Sequence, residues 1–324
     1  MSTFMRRTCI VAAIGLMYVC SVAAAQLSYP SKPVRIINPF SPGGAVDIVS
    51  RTVAQKMAEA WKQPVVVDNR PGAGTLIGTD LVVNAVPDGY TLLLTSAVIA
   101  TNVTLYPQSR NPLKALAPIA LVVQAPFVLA VHPAVPAKSV QELIDLAKAS
   151  PRQIAYGSAG AGTTTHLMLE LFKLMAQVDM LHVPYKGGGP AMNALLAGEV
   201  QCTFLPITVV LPQAKAGRVR ALGVTSGKRV ELAPELPTLA ESGLPGFDPV
   251  GWYAMFAPAG TPDDVVKPVN SQINRILQLP DIRDRFMANG MVPFGGTPTA
   301  LAKYLAAEIS RWGKVIKESN VKPE

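Results

Sequence analysis

Apolar positions along this chain alternate between two spacings. Short runs rich in β-branched and aromatic residues stand at 34–40, 64–68, 90–95, 127–131, 154–156, 181–184, 219–225 and 252–257. Between them the spacing turns helical. Val46, Val49, Val53, Met57 and Ala60 fall on one face of a helix, and Val140, Leu143, Ile144 and Ala147 repeat the pattern. Leu301, Leu305, Ile309, Trp312 and Ile316 form the longest such stripe. Strands alternating with amphipathic helices predict an α/β fold of βα units with mostly parallel sheets. The 25 Gly and 29 Pro punctuate nearly every junction, which fits many short loops and no long linker.

The length of 324 residues predicts about two α/β lobes. Pro126 and the 243–251 region are the expected crossing points of a chain that leaves one lobe, builds a second and returns. The first residues stand apart. Met1 to Arg7 is basic, Thr8 to Val22 is uncharged and mostly apolar, and Ala23-Ala24-Ala25 supplies small residues. That is the pattern of a secretory signal peptide over 1–25, with a soluble product expected in the periplasm. Bulky Tyr18 and Val19 beside Cys20 argue against a lipoprotein. Cleavage would leave Cys202 as the one cysteine, so no intrachain disulfide is expected, and its apolar surroundings predict a buried thiol. No later segment is long and apolar enough to span a membrane.

The formal charge of +8 draws attention to nucleic acid, but Lys and Arg are scattered and aromatics make up only 6%. A nucleic-acid partner is therefore not expected. Catalytic signatures are missing too. There is no H-E-x-x-H motif and no Cys/His cluster with metal spacing, so neither metal nor cofactor is expected. The segment from Tyr156 to Gly160 has Tyr where a nucleophile elbow requires Gly. A secreted α/β hydrolase with Ser158 and His166 as its pair is the alternative reading, and His166 as a cap of a helix start is the blander one.

What remains is a set of glycine- and hydroxyl-rich turns where a strand gives way to a helix. The first runs from Pro39 to Asp47 and offers Phe40, Pro42, Gly43, Gly44, Ala45 and Asp47. The second, 157–165, offers Ser158, Gly162, Thr163 and Thr164, with His166 just beyond. Thr95 and Ser96 form the third, and Tyr185 opens a fourth before Gly187-Gly188-Gly189. Glycine at a βα junction is ordinarily turn chemistry. Its recurrence at the C-terminal ends of predicted strands points further, because such sheets bind ligands at that edge and helix starts attract anions. Donors without a nucleophile, base or metal describe a grip for a small anion. Asp47 reads either as a partner of the helix dipole or as an acceptor for a ligand amine or water.

These residues carry a family resemblance. The stretch from Tyr29-Pro30-Ser31-Lys32-Pro33 through Pro39-Phe40-Ser41-Pro42-Gly43-Gly44 to Asp47 resembles the opening of the Bug-type extracytoplasmic solute receptors (TctC-like), which are associated with tripartite tricarboxylate transporters. So do Val67-Asp68-Asn69-Arg70-Pro71-Gly72, Pro87-Asp88-Gly89-Tyr90, His182-Val183-Pro184-Tyr185-Lys186-Gly187 and Phe256-Ala257-Pro258-Ala259-Gly260-Thr261-Pro262. The resemblance implies a two-lobed, type II (Venus-flytrap) periplasmic binding fold, with 26–126 plus 250–324 in lobe 1 and 127–249 in lobe 2. It further implies a small carboxylate ligand held by the loops at 40–47, 95–96 and 158–165. The chain would be a monomeric, non-enzymatic receptor serving membrane permease subunits or a signalling sensor. The sequence departs from the family at Gln201 and Leu205, where an acid is common, and at Asn102-Val103, where Asn-Pro is common.

Overall fold

The structure, a computed structural model, describes residues 29–322; the predicted signal peptide lies outside them. Two sheets organise the chain. The first contains β1 (Val34–Asn38), β2 (Val65–Asn69), β3 (Thr91–Ser96), β4 (Leu116–Ala125), β10 (Gly251–Pro258) and β11 (Val292–Gly295) in the order β2-β1-β3-β10-β4-β11. The second contains β5 (Phe127–Val131), β6 (Ala155–Ser158), β7 (Leu181–Pro184), β8 (Cys202–Pro206) and β9 (Arg220–Val224) in the order β7-β6-β8-β5-β9. The chain passes from β4 into β5 through Pro126 alone and returns to the first sheet at Gly251.

The expectation of mostly parallel sheets is corrected. Among the described residues, four strand pairings are parallel and five antiparallel. A parallel pair needs a crossover, usually helical. β5 continues almost directly from β4 instead, and runs against both of its neighbours. β10 lies between β3 and β4 and opposes both.

Helices cover the sheets. They are α1 (Ala45–Trp61), α2 (Leu76–Val83), α3 (Val98–Leu105), α4 (Pro112–Ala115), α5 (Val140–Ala149), α6 (Thr164–Ala176), α7 (Gly188–Ala197), α8 (Ile207–Lys215), α9 (Asp263–Ile276), α10 (Pro280–Ala288) and α11 (Pro298–Glu318). Val49, Val53 and Met57 of α1 bury against Leu92 and Leu94 of β3, as the helical spacing predicts. Leu301, Leu305, Trp312 and Ile316 bury the stripe of α11, with Ile309 half-buried beside them. Thr297 caps α11 by accepting from the Ala300 N–H, and Pro298 fits the first turn, where no amide donor is needed. One apolar core runs without a break from Leu93 of β3 and Leu305 of α11 to Leu129, Phe172 and Phe204 beside the second sheet. The buried thiol of Cys202 lies within it, pushed up to about 12 by burial.

A polar knot is embedded where the chain returns to the first sheet. Glu308 of α11 is 1% exposed. Its Oε2 accepts from the indole N–H groups of both Trp252 and Trp312 at 3.0 Å. Its Oε1 meets Arg311, whose other guanidinium nitrogen reaches Asp248 at 2.6 Å.

Candidate ligand-binding site

The first turn is held from beneath. Pro39 cannot donate to the ladder, so β1 stops at Asn38, whose side chain accepts from the Phe40 N–H. Gly43 adopts φ +87°, a left-handed conformation that favours glycine. Its N–H donates to Asp47 Oδ2 at 3.0 Å, which also accepts from Arg51 Nε at 2.9 Å. Asp47 Oδ1 accepts from Asn69 Nδ2, and the same amide nitrogen donates to the Phe40 carbonyl. All the oxygens of this buried carboxylate are thus engaged within the protein, and Asp47 is a brace for the turn. Burial alone would raise its pKa. The bonds from Arg51, Gly43 and Asn69 outweigh that and hold it at about 2. The bracing contribution is complete above the ordinary value of 3.8 and is lost as pH falls through 2. Asp47→Ala is expected to cost about 1–3 kcal/mol in urea unfolding at pH 7, and much less near pH 2.

The second turn is braced by its own hydroxyls. Thr163 Oγ1 donates to the Gly160 carbonyl at 2.7 Å, and Thr165 Oγ1 accepts from the Ala159 N–H at 2.8 Å. The Gly162 N–H donates to Nδ1 of buried His166. Ser158 is fully buried, and its Oγ shares a 2.7 Å hydrogen bond with His182 Nε2. His166 and His182 stack with ring centroids 3.8 Å apart, and the Tyr156 ring lies near-parallel to both, 4.9 Å from His182 and 6.3 Å from His166. Glu170 accepts from Tyr156 and from Lys173 beneath the stack. Ser158 is therefore bonded to His182 and not to His166, and the hydrolase pair is not formed.

Burial, then the neighbouring His166, depresses the pKa of His182 to about 4 from 6.5. Folded His182 stays neutral where the unfolded chain takes up a proton. Stability should rise with pH across about 4 to 6.5 and be complete above that window. The partly open position scales the effect to about 2 kcal/mol. His182→Gln should flatten that slope when urea midpoints are compared at pH 4.5 and 7. An unchanged slope would contradict the assignment.

Residues at three helix starts line one cavity of about 220 Å³. Phe40, Gly44, Ala45 and Val46 come from the start of α1, Ser96 and Ala97 from the start of α3, and Thr164 is the first residue of α6. Phe127 at the start of β5 and Gly251, Trp252 and Tyr253 of β10 complete the wall. A Cβ at Gly251 would be crowded, 3.1 Å from the Phe127 ring and 3.2 Å from the Ala125 carbonyl. No lining side chain is charged. Each helix start brings amides without intrahelical partners and a partial positive charge of about half a unit. Neutral donors between aromatic walls can hold a small anion and present an apolar surface to its carbon skeleton.

Of the residues singled out from sequence, Phe40, Gly44, Ala45, Ser96 and Thr164 line the cavity. Pro42 and Gly43 lie exposed beside it in the same turn. Ser158, Thr163, His166 and Asp47 stand behind the turns and shape them, and Gly162 supplies one of the bracing amides. Thr95 is fully buried, with its hydroxyl lacking a hydrogen-bond partner. Tyr185 packs beside Gly157; its hydroxyl donates to Glu199 at 3.3 Å and its N–H donates to the Ser158 carbonyl at 3.0 Å. Sequence reasoning missed Phe127, Trp252 and Tyr253. The signal was their place beside the expected crossing points. Gln201, the departure from the family pattern, accepts from the Ala155 N–H at 2.8 Å and serves the sheet.

The sequence profile of the tripartite tricarboxylate transporter family receptors matches residues 49–321. BugT of Bordetella pertussis is 37% identical over 324 residues, covering 98% of this chain and 99% of its own. A Rhodopseudomonas palustris protein solved with adipate is 34% identical with a TM-score of 0.75, covering 91% of this chain and all of that one. MatC from Rhodopseudomonas palustris, solved with bound malate, is 31% identical with a TM-score of 0.71, covering 89% of this chain and all of that one. The two-sheet architecture is accordingly the two-lobed fold of periplasmic binding proteins, and the chain is a solute receptor, not an enzyme. It belongs to the tripartite tricarboxylate transporter receptor family.

Proposed function

We propose that this receptor captures a small carboxylate in the cavity between its two sheets and hands it to a membrane transporter. One observation carries the reading: residues at three helix starts line a single cavity that has no charged side chain in its lining. Adipate and malate in two related structures support the same ligand class. The volume of about 220 Å³ suits a short-chain acid, being below the ~300–1,000 Å³ of sites for drug-sized ligands. The lobes would be 26–126 plus 250–324 and 127–249, hinged at Pro126 and near Val250, and the ligand would favour closure by binding the closed form better. The first 25 residues would direct the chain to the periplasm and be removed. A thermal-shift screen against mono-, di- and tricarboxylates, amino acids and aromatic acids tests the reading. A carboxylate should raise the melting temperature with dose. Indifference to every acid in the panel would overturn it.

A further inference from the structure

A second and larger crevice, about 590 Å³, lies beside the two crossing segments and shares no lining residue with the carboxylate cavity. Phe127, Gly251 and Trp252 face the first cavity, whereas Pro126 and Val250 face this one. Its walls come from both sheets' surroundings. The segment following β9 supplies one side, with Lys228 and Arg229. β11, α10 and α11 supply the other, with Phe294, Arg283 and Arg311. Phe294 is 57% exposed at its mouth, an aromatic ring left open to water.

We propose that this crevice is an effector site for a small organic anion with an apolar body, and that it is coupled to the carboxylate cavity. Charge favours that occupant. Four cations line the crevice against Glu231 and Asp248, and Asp248 is already engaged by Arg311. Arg229 is held by Glu241, whereas Lys228 and Arg283 make no ion pair among the described residues. The apolar floor of Pro126, Val250 and Met287 suits a hydrophobic skeleton.

Two short relays join the cavities. Arg311 on the crevice wall pairs with Glu308, which accepts from Trp252 on the wall of the other cavity. Tyr304, also on the crevice wall, meets the Trp252 ring edge-on with centroids 5.8 Å apart. The crevice is built from both sides of the crossing segments, so hinge closure changes its width. A ligand filling it favours one hinge angle and thereby biases the carboxylate site, with reciprocal effects on the two affinities.

The test uses 1-anilinonaphthalene-8-sulfonate, an apolar body with one negative charge, titrated by fluorescence into the full mature protein. We expect saturable binding of one probe per chain. Lys228→Glu with Arg283→Glu should weaken it at least tenfold. Both side chains are exposed, so folding should survive. Lys148→Glu, a charge reversal at an exposed position lining neither cavity, should leave probe affinity unchanged. Where the carboxylate screen yields a ligand, probe and carboxylate should change each other's dissociation constants by the same factor, about fivefold or more. That last arm alone rests on the proposed function. Absence of saturable binding, indifference to the double charge reversal, or loss of binding in Lys148→Glu would overturn the site. Independent binding of probe and carboxylate would overturn the coupling.

Discussion

Glu308→Ala is expected to destabilise the protein by about 3–5 kcal/mol. The carboxylate is 1% exposed and serves three partners at once. Trp252 and Trp312 each donate an indole N–H to its Oε2, and Arg311 pairs with its Oε1. Truncation leaves two buried N–H groups without acceptors, at about 1–3 kcal/mol each, and opens a cavity beneath the returning strand. Arg311 keeps Asp248 and remains partly solvated, so its share is the smallest. Glu308→Gln retains a carbonyl acceptor for the indoles and should lose roughly half as much. Urea unfolding followed by tryptophan fluorescence reads both variants. A loss below about 1 kcal/mol for Glu308→Ala would mean that the knot does not hold α11 to β10.

Thr164→Asp separates folding from binding. The first residue of α6 borders the carboxylate cavity. A carboxylate side chain there complements the helix N-terminus and should add about 0.3–1 kcal/mol to stability. The same charge faces the site of the ligand. Two negative charges about 4 Å apart repel by roughly 4 kcal/mol at an effective dielectric of 20, which is more than a hundredfold in affinity. The expected result is a protein as stable as wild type, or slightly more so, with carboxylate binding lost. A variant that still bound within tenfold of wild type would remove the start of α6 from the site. One that unfolded would show Thr164 to be structural.

The alternation of strands with helices was legible because the helices have one wet face each. Val46, Val49, Val53 and Met57 of α1 and Leu301, Leu305, Trp312 and Ile316 of α11 are buried as their spacing predicts, whereas Ala60, at the last turn of α1, is exposed. β4 was not legible. It contains Pro118, and its pairing with β10 shifts register between Tyr253 and Ala254 and between Met255 and Phe256. Both features spoil a simple alternation. β11 is short and carries Pro293, with Phe294 turned out to water, so its pattern points away from a strand.

The first glycine turn announced itself locally, since Gly43 and Asp47 interact across only four residues. The aromatic half of the cavity did not. Phe127 and Trp252 read as ordinary core at strand starts, and they meet only because the chain crosses twice between the sheets. Hydroxyls at 158 and 163 were legible as polar atoms near a helix start. Their direction was not, because it depends on His182 from the neighbouring strand and on the turn's own carbonyl.

On the proposed function, uncharged donors at helix starts hold a carboxylate. Calorimetric titration of the chain lacking residues 1–25 with the strongest acid from the screen, and with its amide of the same shape, separates charge from fit. The acid should bind saturably, one per chain, while the amide gives no measurable binding, because helix starts favour negative charge. Equal affinity for acid and amide would contradict the account.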